Sequence, residues 1–174
     1  MKLLTIICCL ATICCHAQNK RFISTYAVLQ QTNTSTDYTI RNNPWGLGVG
    51  LQAVIGSKWK LAPIVSATTH VYLYNDKVLR LNTDGSIKES VETLTNLFVG
   101  MRYNVVNMLH ISISSGASLV NKEPRLGIQG EFGCYFTAKQ NWLAKFGYLH
   151  MNRKNYTEVN PFNTITVSLS AKLF

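Results

Sequence analysis

Residues 45–55 read Trp-Gly-Leu-Gly-Val-Gly-Leu-Gln-Ala-Val-Ile, so that large apolar side chains alternate with glycine over most of the segment. A β-strand sends successive side chains to opposite faces, and one face of this strand is therefore apolar while the other is nearly bare backbone. Strands of about ten residues with this alternation, separated by turns, are the signature of a membrane-spanning β-barrel. The segment predicts both an architecture and a membrane environment.

Seven further segments repeat the alternation with less contrast. They are predicted at residues 21–30, 59–74, 91–105, 109–120, 126–137, 142–151 and 164–174. In the first of these the phase stays open, because Tyr26 and Val28 compete with Ala27 and Leu29 for the apolar face. Eight such segments predict an all-β protein, an eight-stranded antiparallel up-and-down transmembrane β-barrel.

The connections between the predicted strands alternate in length. Residues 56–58, 106–108 and 138–141 form short connections, residues 31–44, 75–90 and 152–163 form long ones, and residues 121–125 form one of intermediate length. Outer-membrane barrels have short periplasmic turns and longer extracellular loops. An even number of strands then places both ends of the barrel domain on the periplasmic side.

The N-terminus has the pattern of a secretory signal peptide. Lys2 precedes an apolar run over residues 3–15, and Ala17 is a small residue at the expected cleavage position. We therefore predict a signal peptide over residues 1–17 and an outer-membrane β-barrel domain over residues 18–174. A membrane anchor is the alternative, although the run is shorter than the roughly 20 residues that a spanning helix needs. The junction between Ala17 and Gln18 resembles those of exported Bacteroidota proteins.

The composition after residue 17 restricts the chemistry of the chain. Cys134 is the one cysteine that remains, so an intrachain disulfide and a cysteine-based metal site are both excluded. Charged residues make up 14% of the chain, whereas soluble domains average roughly 25%. A surface that needs so little charge is consistent with contact to lipid.

Aromatic residues lie near the predicted strand ends. Four stand beside the short connections and one stands at the opposite end of its strand: Trp59, Tyr103, Phe136 and Trp142, and Trp45. Such residues favour the headgroup layer and form girdles at both membrane interfaces. We predict that these five are lipid-interface aromatics.

Taken together, these segments resemble the small eight-stranded outer-membrane barrels of the OmpX and OmpA-transmembrane type. The resemblance covers residues 18–174 and implies a location in the outer membrane of a Gram-negative bacterium. It also implies contact with outer-membrane lipids and lipopolysaccharide, and assembly by the barrel assembly machinery. In that family a terminal aromatic serves as the assembly signal, and Phe174 matches it, although Lys172 and Ser170 depart from the apolar alternation that usually precedes it.

A soluble lipocalin-like binding barrel is the structural alternative. It would turn the apolar face inward and expose a face of glycine, serine and threonine with few charges. An eight-stranded barrel has an interior just wide enough for its side chains, so four or five large residues per strand would not fit there.

The predicted interior contains a small group of charged and amide side chains, the lumen polar cluster: Glu131, Arg102, Lys145 and Gln129. A buried carboxylate must be paired, so we expect Glu131 to bond to Lys145, to Arg102 or to both. Further members are predicted to be Gln52, Asn96, His70, Tyr72 and Tyr135. The structural interpretation is a lumen plugged by polar side chains, and the functional alternative is a gate or proton relay.

No catalytic motif, cofactor-binding motif or metal site is found in the sequence, and the chain is predicted not to be an enzyme. Nucleic acid is not an expected partner, because the positive charge forms no basic stripe with interleaved aromatics. Two alternatives stay open. One is a lipid A-modifying enzyme that uses His70 with Ser66 or Thr68, or His150 as a second candidate base. The other is a subunit of an envelope or secretion complex. Function is expected in the outer loops, and a protein partner at residues 75–90.

Two local predictions concern the second and third strands. Pro63 falls inside a strand of a barrel that has no edge, so a bulge or a strand that begins near Ile64 is expected. The glycines of residues 45–55 are expected to leave room for Tyr72 and His70 on the neighbouring strand.

Overall fold

The structure is a computed structural model that describes residues 23–35, 42–56, 59–74, 93–137, 139–152 and 162–173. Within these ranges the chain forms eight strands. They are β1 (Ile23–Ser35), β2 (Asn42–Ile55), β3 (Leu61–Tyr74), β4 (Thr93–Val106), β5 (Leu109–Val120), β6 (Glu123–Tyr135), β7 (Trp142–Met151) and β8 (Phe162–Lys172).

The strands pair with their sequence neighbours in antiparallel fashion, and β8 pairs with β1 to close the barrel. A circuit that follows paired residues from Ser24 around all the strands returns to β1 at Thr34, ten residues further along. For eight strands this stagger corresponds to a tilt of about 40° from the barrel axis. The predicted closed, eight-stranded up-and-down barrel is confirmed.

The two faces of the wall differ in chemistry. Large apolar residues point outward and are exposed, among them Leu47 at 64%, Ile113 at 63% and Val99 at 61%. In the described strands, no Asp, Glu, Lys or Arg side chain points outward. The phase of β1 is also settled, since Tyr26 and Val28 are buried while Leu29 is exposed.

The end of the barrel at which β1 begins and β8 ends is called the terminal end here, and the other is called the loop end. Three short connections lie at the terminal end; one of them places Gly56 at a φ of 62°, a conformation that favours glycine. At the loop end the strands reach further than the sequence predicted, because β1 continues to Ser35 and β2 begins at Asn42.

The β5–β6 connection is shorter than predicted. Asn121 and Lys122 have φ values of 50° and 72°, and β6 begins at Glu123. Positive φ at both central residues is the geometry of a type I′ hairpin turn, which matches the twist of the flanking strands. The prediction of an intermediate loop over residues 121–125 was therefore wrong.

Pro63 lies inside β3 without the predicted bulge. It pairs with Met101 in an unshifted register. Asn104 N donates to Lys60 O at 2.9 Å, and hydrogen-bonded pairs alternate along an antiparallel ladder, so the Pro63–Met101 pair is of the non-hydrogen-bonded kind. The nitrogen of Pro63 thus faces β2, whose pairing with β3 ends at Ile64. Because Pro63 is not required to donate a hydrogen bond to β4, the strand can include it, and β3 begins at Leu61 rather than near Ile64 as predicted.

The β2 glycines accommodate large side chains of β3, as predicted. Gly48 pairs with His70, and a Cβ at Gly48 would lie 2.7 Å from His70 Nε2. Gly46 pairs with Tyr72, and a Cβ there would lie 2.9 Å from the Tyr72 ring. Both distances are shorter than van der Waals contact, so the rings occupy the space that the glycines leave.

No helix in the described ranges has the length and apolarity needed to cross a membrane. The predicted signal peptide over residues 1–17, the loop over residues 75–90 and Phe174 all lie outside the described residues.

Candidate functional site

The lumen is filled in three layers along the barrel axis. Apolar side chains form a cluster at each end, here called the terminal cluster and the loop cluster. The terminal cluster consists of Tyr26, Val54, Ala62, Ile64, Tyr135 and Leu143. The loop cluster consists of Tyr72, Leu94, Phe98, Val120, Leu149, Met151 and Phe162. On β7, Lys145 stands between Leu143 and Leu149, and so lies in a polar layer between the two clusters.

Glu131 is the centre of this polar layer. Lys145 Nζ lies 2.8 Å from Glu131 Oε1. Gln129 Nε2 donates to the same carboxylate at 3.3 Å, and Ser112 Oγ donates to its other oxygen at 3.2 Å. Lys145 also donates to Gln52 Oε1 at 3.2 Å, which links β7 across the lumen to β2. The sequence left the partner of Glu131 open between Lys145 and Arg102, and the structure places Lys145 against it.

Arg102 belongs to a second group near the terminal cluster. Its Nη1 donates to Tyr135 Oη at 2.6 Å, and its guanidinium lies 5.8 Å from the centroid of the Tyr135 ring. The hydroxyl groups of Tyr135 and Tyr26 are 3.2 Å apart, and the His110 ring packs 5.5 Å from that of Tyr135. The predicted lumen polar cluster is thus divided, with Glu131, Lys145 and Gln129 in one group and Arg102 in another.

Polar contacts near the loop cluster are made by neutral groups. His70 Nε2 lies 2.9 Å from Gln30 Oε1, and His70 Nδ1 lies 3.2 Å from Leu94 O. Tyr72 Oη is 2.7 Å from Thr34 Oγ1. Ser118 Oγ donates to Asn96 Oδ1 at 2.8 Å. These bonds satisfy polar groups inside an otherwise apolar end of the lumen.

Sequence reasoning missed the apolar lumen residues. The sequence led us to predict a lumen plugged by polar side chains, whereas Leu94, Phe98 and Leu143 also point inward and are almost fully buried. The available signal was that these residues stand in phase with polar lumen residues such as Asn96 and Lys145. It was weak, because isolated apolar residues do not disturb the average alternation of a strand.

The predicted catalytic alternative finds little support in the geometry. Both ring nitrogens of His70 lie within bonding distance of Gln30 and Leu94 rather than of Ser66 or Thr68. His150, the second candidate, faces the outer side of the wall, where its Nδ1 lies 2.8 Å from Asn163 Oδ1. A hydrolytic site needs a base within reach of a nucleophile, and these two imidazoles contact amide and carbonyl groups instead. Among the described residues no group of three or more His, Cys, Asp or Glu could hold a metal ion.

The five predicted interface aromatics all face outward. The exposed fraction is 50% for Trp45 and Trp59, 39% for Tyr103, 59% for Phe136 and 47% for Trp142. Trp45 lies towards the loop end, and the other four lie at the terminal end. Aromatic rings therefore flank the uncharged outward band at both ends.

Comparison with known proteins gives a fold but no family. No family model matches the chain, and no curated protein matches it. Several solved structures do match. The crystal structure of Ail, the attachment invasion locus protein of Yersinia pestis, covers 86% of this chain and 95% of its own with a TM-score of 0.55 and 11% identity. The backbone structure of the Yersinia pestis outer membrane protein Ail in a phospholipid bilayer nanodisc covers 86% of this chain and 99% of its own, with a TM-score of 0.55 and 9% identity.

Neisserial surface protein A is similar to the same extent. Its crystal structure covers 87% of this chain and 97% of its own, with a TM-score of 0.52 and 11% identity. At such identities the similarity concerns the fold alone. The structural neighbours of this barrel are outer-membrane barrels that it matches over nearly their whole length.

Proposed function

We propose that the chain is an integral barrel of a Gram-negative outer membrane, that its lumen is closed to solutes, and that it acts at the cell surface through its outer loops. The observation that carries the proposal is the outward face of the described strands, which has no charged side chain and is flanked by aromatic residues at both ends. In a bilayer, each arginine or lysine at the midplane of such a face destabilises a barrel by about 2–4 kcal/mol. The absence of charged side chains from the outward face of the described strands therefore matches a lipid environment.

The buried side chains at both ends of the lumen support the proposal that the lumen is closed. The loop cluster and the terminal cluster are buried, and each places several large side chains across the barrel interior. Between them the Glu131 carboxylate is neutralised by Lys145 and bonded to two further donors. A lumen filled in this way is a packed core, as expected for an eight-stranded barrel.

If the lumen is closed, the outer loops are the part of the barrel that can carry its function. Transport through the barrel is not supported by this filling, and the described imidazoles lie among structural partners. Residues 75–92 form the longest segment between two strands, and loops carried on a rigid scaffold are where binding residues concentrate. The name of one neighbour, an attachment invasion locus protein, is compatible with a surface-interaction role, and we extend that role to this chain as part of the proposal.

Membrane integration is tested by fractionation. The full chain, expressed with its N-terminal segment in a Gram-negative host, is expected in the outer-membrane fraction after a carbonate wash. On a gel, the unheated sample should migrate differently from the boiled one. Recovery in a soluble fraction without detergent would support the lipocalin-like alternative.

Closure of the lumen is tested by single-channel recording in a planar bilayer. The wild-type barrel is expected to show no steady conductance. An open porin reconstituted under the same conditions provides a check that the recording can detect a conducting barrel. A steady large conductance of the wild-type protein would overturn the proposal of a closed lumen.

The surface role is tested by a pull-down from extracellular proteins. The bait is the folded full barrel, and the matched control replaces residues 76–89 with a short Gly-Ser connection. A partner retained by the wild-type protein and lost by the control supports the role. Equal retention by both proteins would place the contact elsewhere on the surface.

The enzyme alternative is tested by mass spectrometry of lipid A from cells that express the wild-type barrel or His70→Ala. Identical lipid A in both strains and in cells without the barrel is expected. A modification that depends on His70 would establish a catalytic role.

A further inference from the structure

The described charged residues at the terminal end of the barrel are all basic. Lys60, Lys139 and Lys172 lie there, and none of the described residues at this end carries an acidic side chain. In the sequence, Lys58 belongs to the same connection as Lys60, and Lys20 and Arg21 shortly precede β1. At the loop end the charges are mixed, as Lys122 stands next to Glu123 in the β5–β6 hairpin.

Lys60 is held at the outward wall. Its Nζ lies 5.6 Å from the centroid of the Tyr103 ring, and Tyr103 faces outward. The neighbouring Trp59 is 50% exposed on the same side. An ammonium group over an aromatic face is attracted by the ring quadrupole, which favours this position over one that points towards the barrel axis.

The other two lysines lie across the barrel. Lys139 is exposed in the β7 entry turn, and Lys172 ends β8, where its backbone N donates to Asn141 O at 2.8 Å. The outward aromatics Phe136 and Trp142 flank this turn and are joined by a backbone hydrogen bond of 3.1 Å. In the closed strand order β3–β4 and β7–β8 are on opposite sides, so Lys60 and Lys139 stand at two separate positions on the rim of the barrel rather than in one patch.

We propose that the terminal end of the barrel binds the headgroups of anionic phospholipids, an inference that rests on the membrane location proposed above. Lysines beside outward aromatic rings stand at the level where lipid phosphates lie, and each basic residue near an anionic leaflet contributes to binding. Lysines beside outward aromatic rings on opposite sides of the barrel match the annulus of lipid that surrounds the wall.

Tryptophan quenching by brominated lipids tests the proposal, because the chain has three tryptophans and two of them, Trp59 and Trp142, mark opposite sides of the terminal end. A variant with Trp45→Phe and Trp142→Phe retains Trp59 next to Lys60. A variant with Trp45→Phe and Trp59→Phe retains Trp142 next to the Lys139 turn. Each is refolded into vesicles that contain brominated phosphatidylglycerol or brominated phosphatidylcholine at the same mole fraction.

Both tryptophans are expected to favour phosphatidylglycerol, with a relative association constant of about five at low salt. Adding Lys60→Gln should bring the preference at Trp59 close to one and leave the preference at Trp142 unchanged. Lys122→Gln at the loop end is the matched control and should change neither.

Equal quenching by the two lipids in the parent variants would overturn the proposal, and so would a Lys60→Gln variant that keeps its preference at Trp59. A protein that is quenched by neither lipid would instead contradict the proposed membrane location. The two proposals therefore fail in different ways.

Discussion

Lys145 Nζ lies 2.8 Å from Glu131 Oε1 inside the barrel, and the two side chains are only 5% and 7% exposed. The residues stand on neighbouring strands, and Gln129, Ser112 and Gln52 supply the remaining bonds of the pair. A buried charge pair is tolerated when its other donors and acceptors are satisfied in this way. The arrangement makes the interior a connected polar layer between two apolar clusters.

Removal of Lys145 should be more harmful than removal of the whole pair. Lys145→Met leaves the Glu131 carboxylate buried without its cation and is expected to lower the free energy of unfolding by about 3 kcal/mol. Lys145→Met combined with Glu131→Gln should recover most of this loss, because no charge is left buried. Urea titrations in phospholipid vesicles, followed by tryptophan fluorescence, measure both values. Equal losses in the single and double variants would show that the pair is not coupled.

Two glycines of β6 should respond differently to the same substitution. A Cβ at Gly133 would collide with the His110 imidazole, whereas a Cβ at Gly130 meets no atom within 4 Å. Gly133→Ala is expected to lower the free energy of unfolding by about 2 kcal/mol. Gly130→Ala is expected to be neutral or to stabilise the barrel by about 0.5 kcal/mol, since alanine has less backbone entropy to lose.

The cause of the Gly133 effect can be isolated with a double-mutant cycle. In a His110→Ala background the obstructing ring is absent, so Gly133→Ala should lower the unfolding free energy by about 0.5 kcal/mol or less. A loss of the same size in both backgrounds would mean that the imidazole is not the obstacle.

The Tyr135 hydroxyl should contribute more to stability than the Tyr26 hydroxyl, because it bonds to both Arg102 and Tyr26. Tyr135→Phe removes the acceptor of Arg102 Nη1 at 2.6 Å and the partner of the Tyr26 hydroxyl. The expected loss of unfolding free energy is about 2 kcal/mol, because a bond to a charged group is broken. Tyr26→Phe breaks the tyrosine–tyrosine bond and the contact between the Tyr26 hydroxyl and Arg102, but it keeps the 2.6 Å bond from Arg102 to Tyr135, so it should lower the free energy by about 1 kcal/mol. The reverse order in urea titrations would argue against the Arg102–Tyr135 bond.

Charges introduced on the outward face should show a dependence on depth. Val99 is at the middle of β4 and Val105 is near its terminal end, and both side chains point outward and are exposed. In a bilayer, Val99→Arg is expected to lower the free energy of unfolding by about 2–4 kcal/mol and Val105→Arg by about 1 kcal/mol or less. In a soluble barrel both sites would face water, and the two substitutions would have similar, small effects.

The sequence by itself determined the architecture of the wall. Side chains of a strand alternate with a period of two, so the positions of large apolar residues assign each strand its faces without knowledge of the neighbouring strands. The bounds of β5 and β7 were predicted correctly for this reason. The phase of β1 stayed open because Tyr26, Val28 and Leu29 are all large and apolar, and periodicity cannot rank them.

Only the tertiary structure decided which interior groups meet. Lys145 and Gln52 are 93 residues apart, and Tyr26 and Tyr135 are 109 apart, yet each pair is in contact inside the barrel. These contacts depend on the ten-residue stagger that accumulates around the closed sheet, which sets the height of every strand relative to the others. Alternation along a single strand carries no information about that height, so it places a side chain in the lumen without naming its partner.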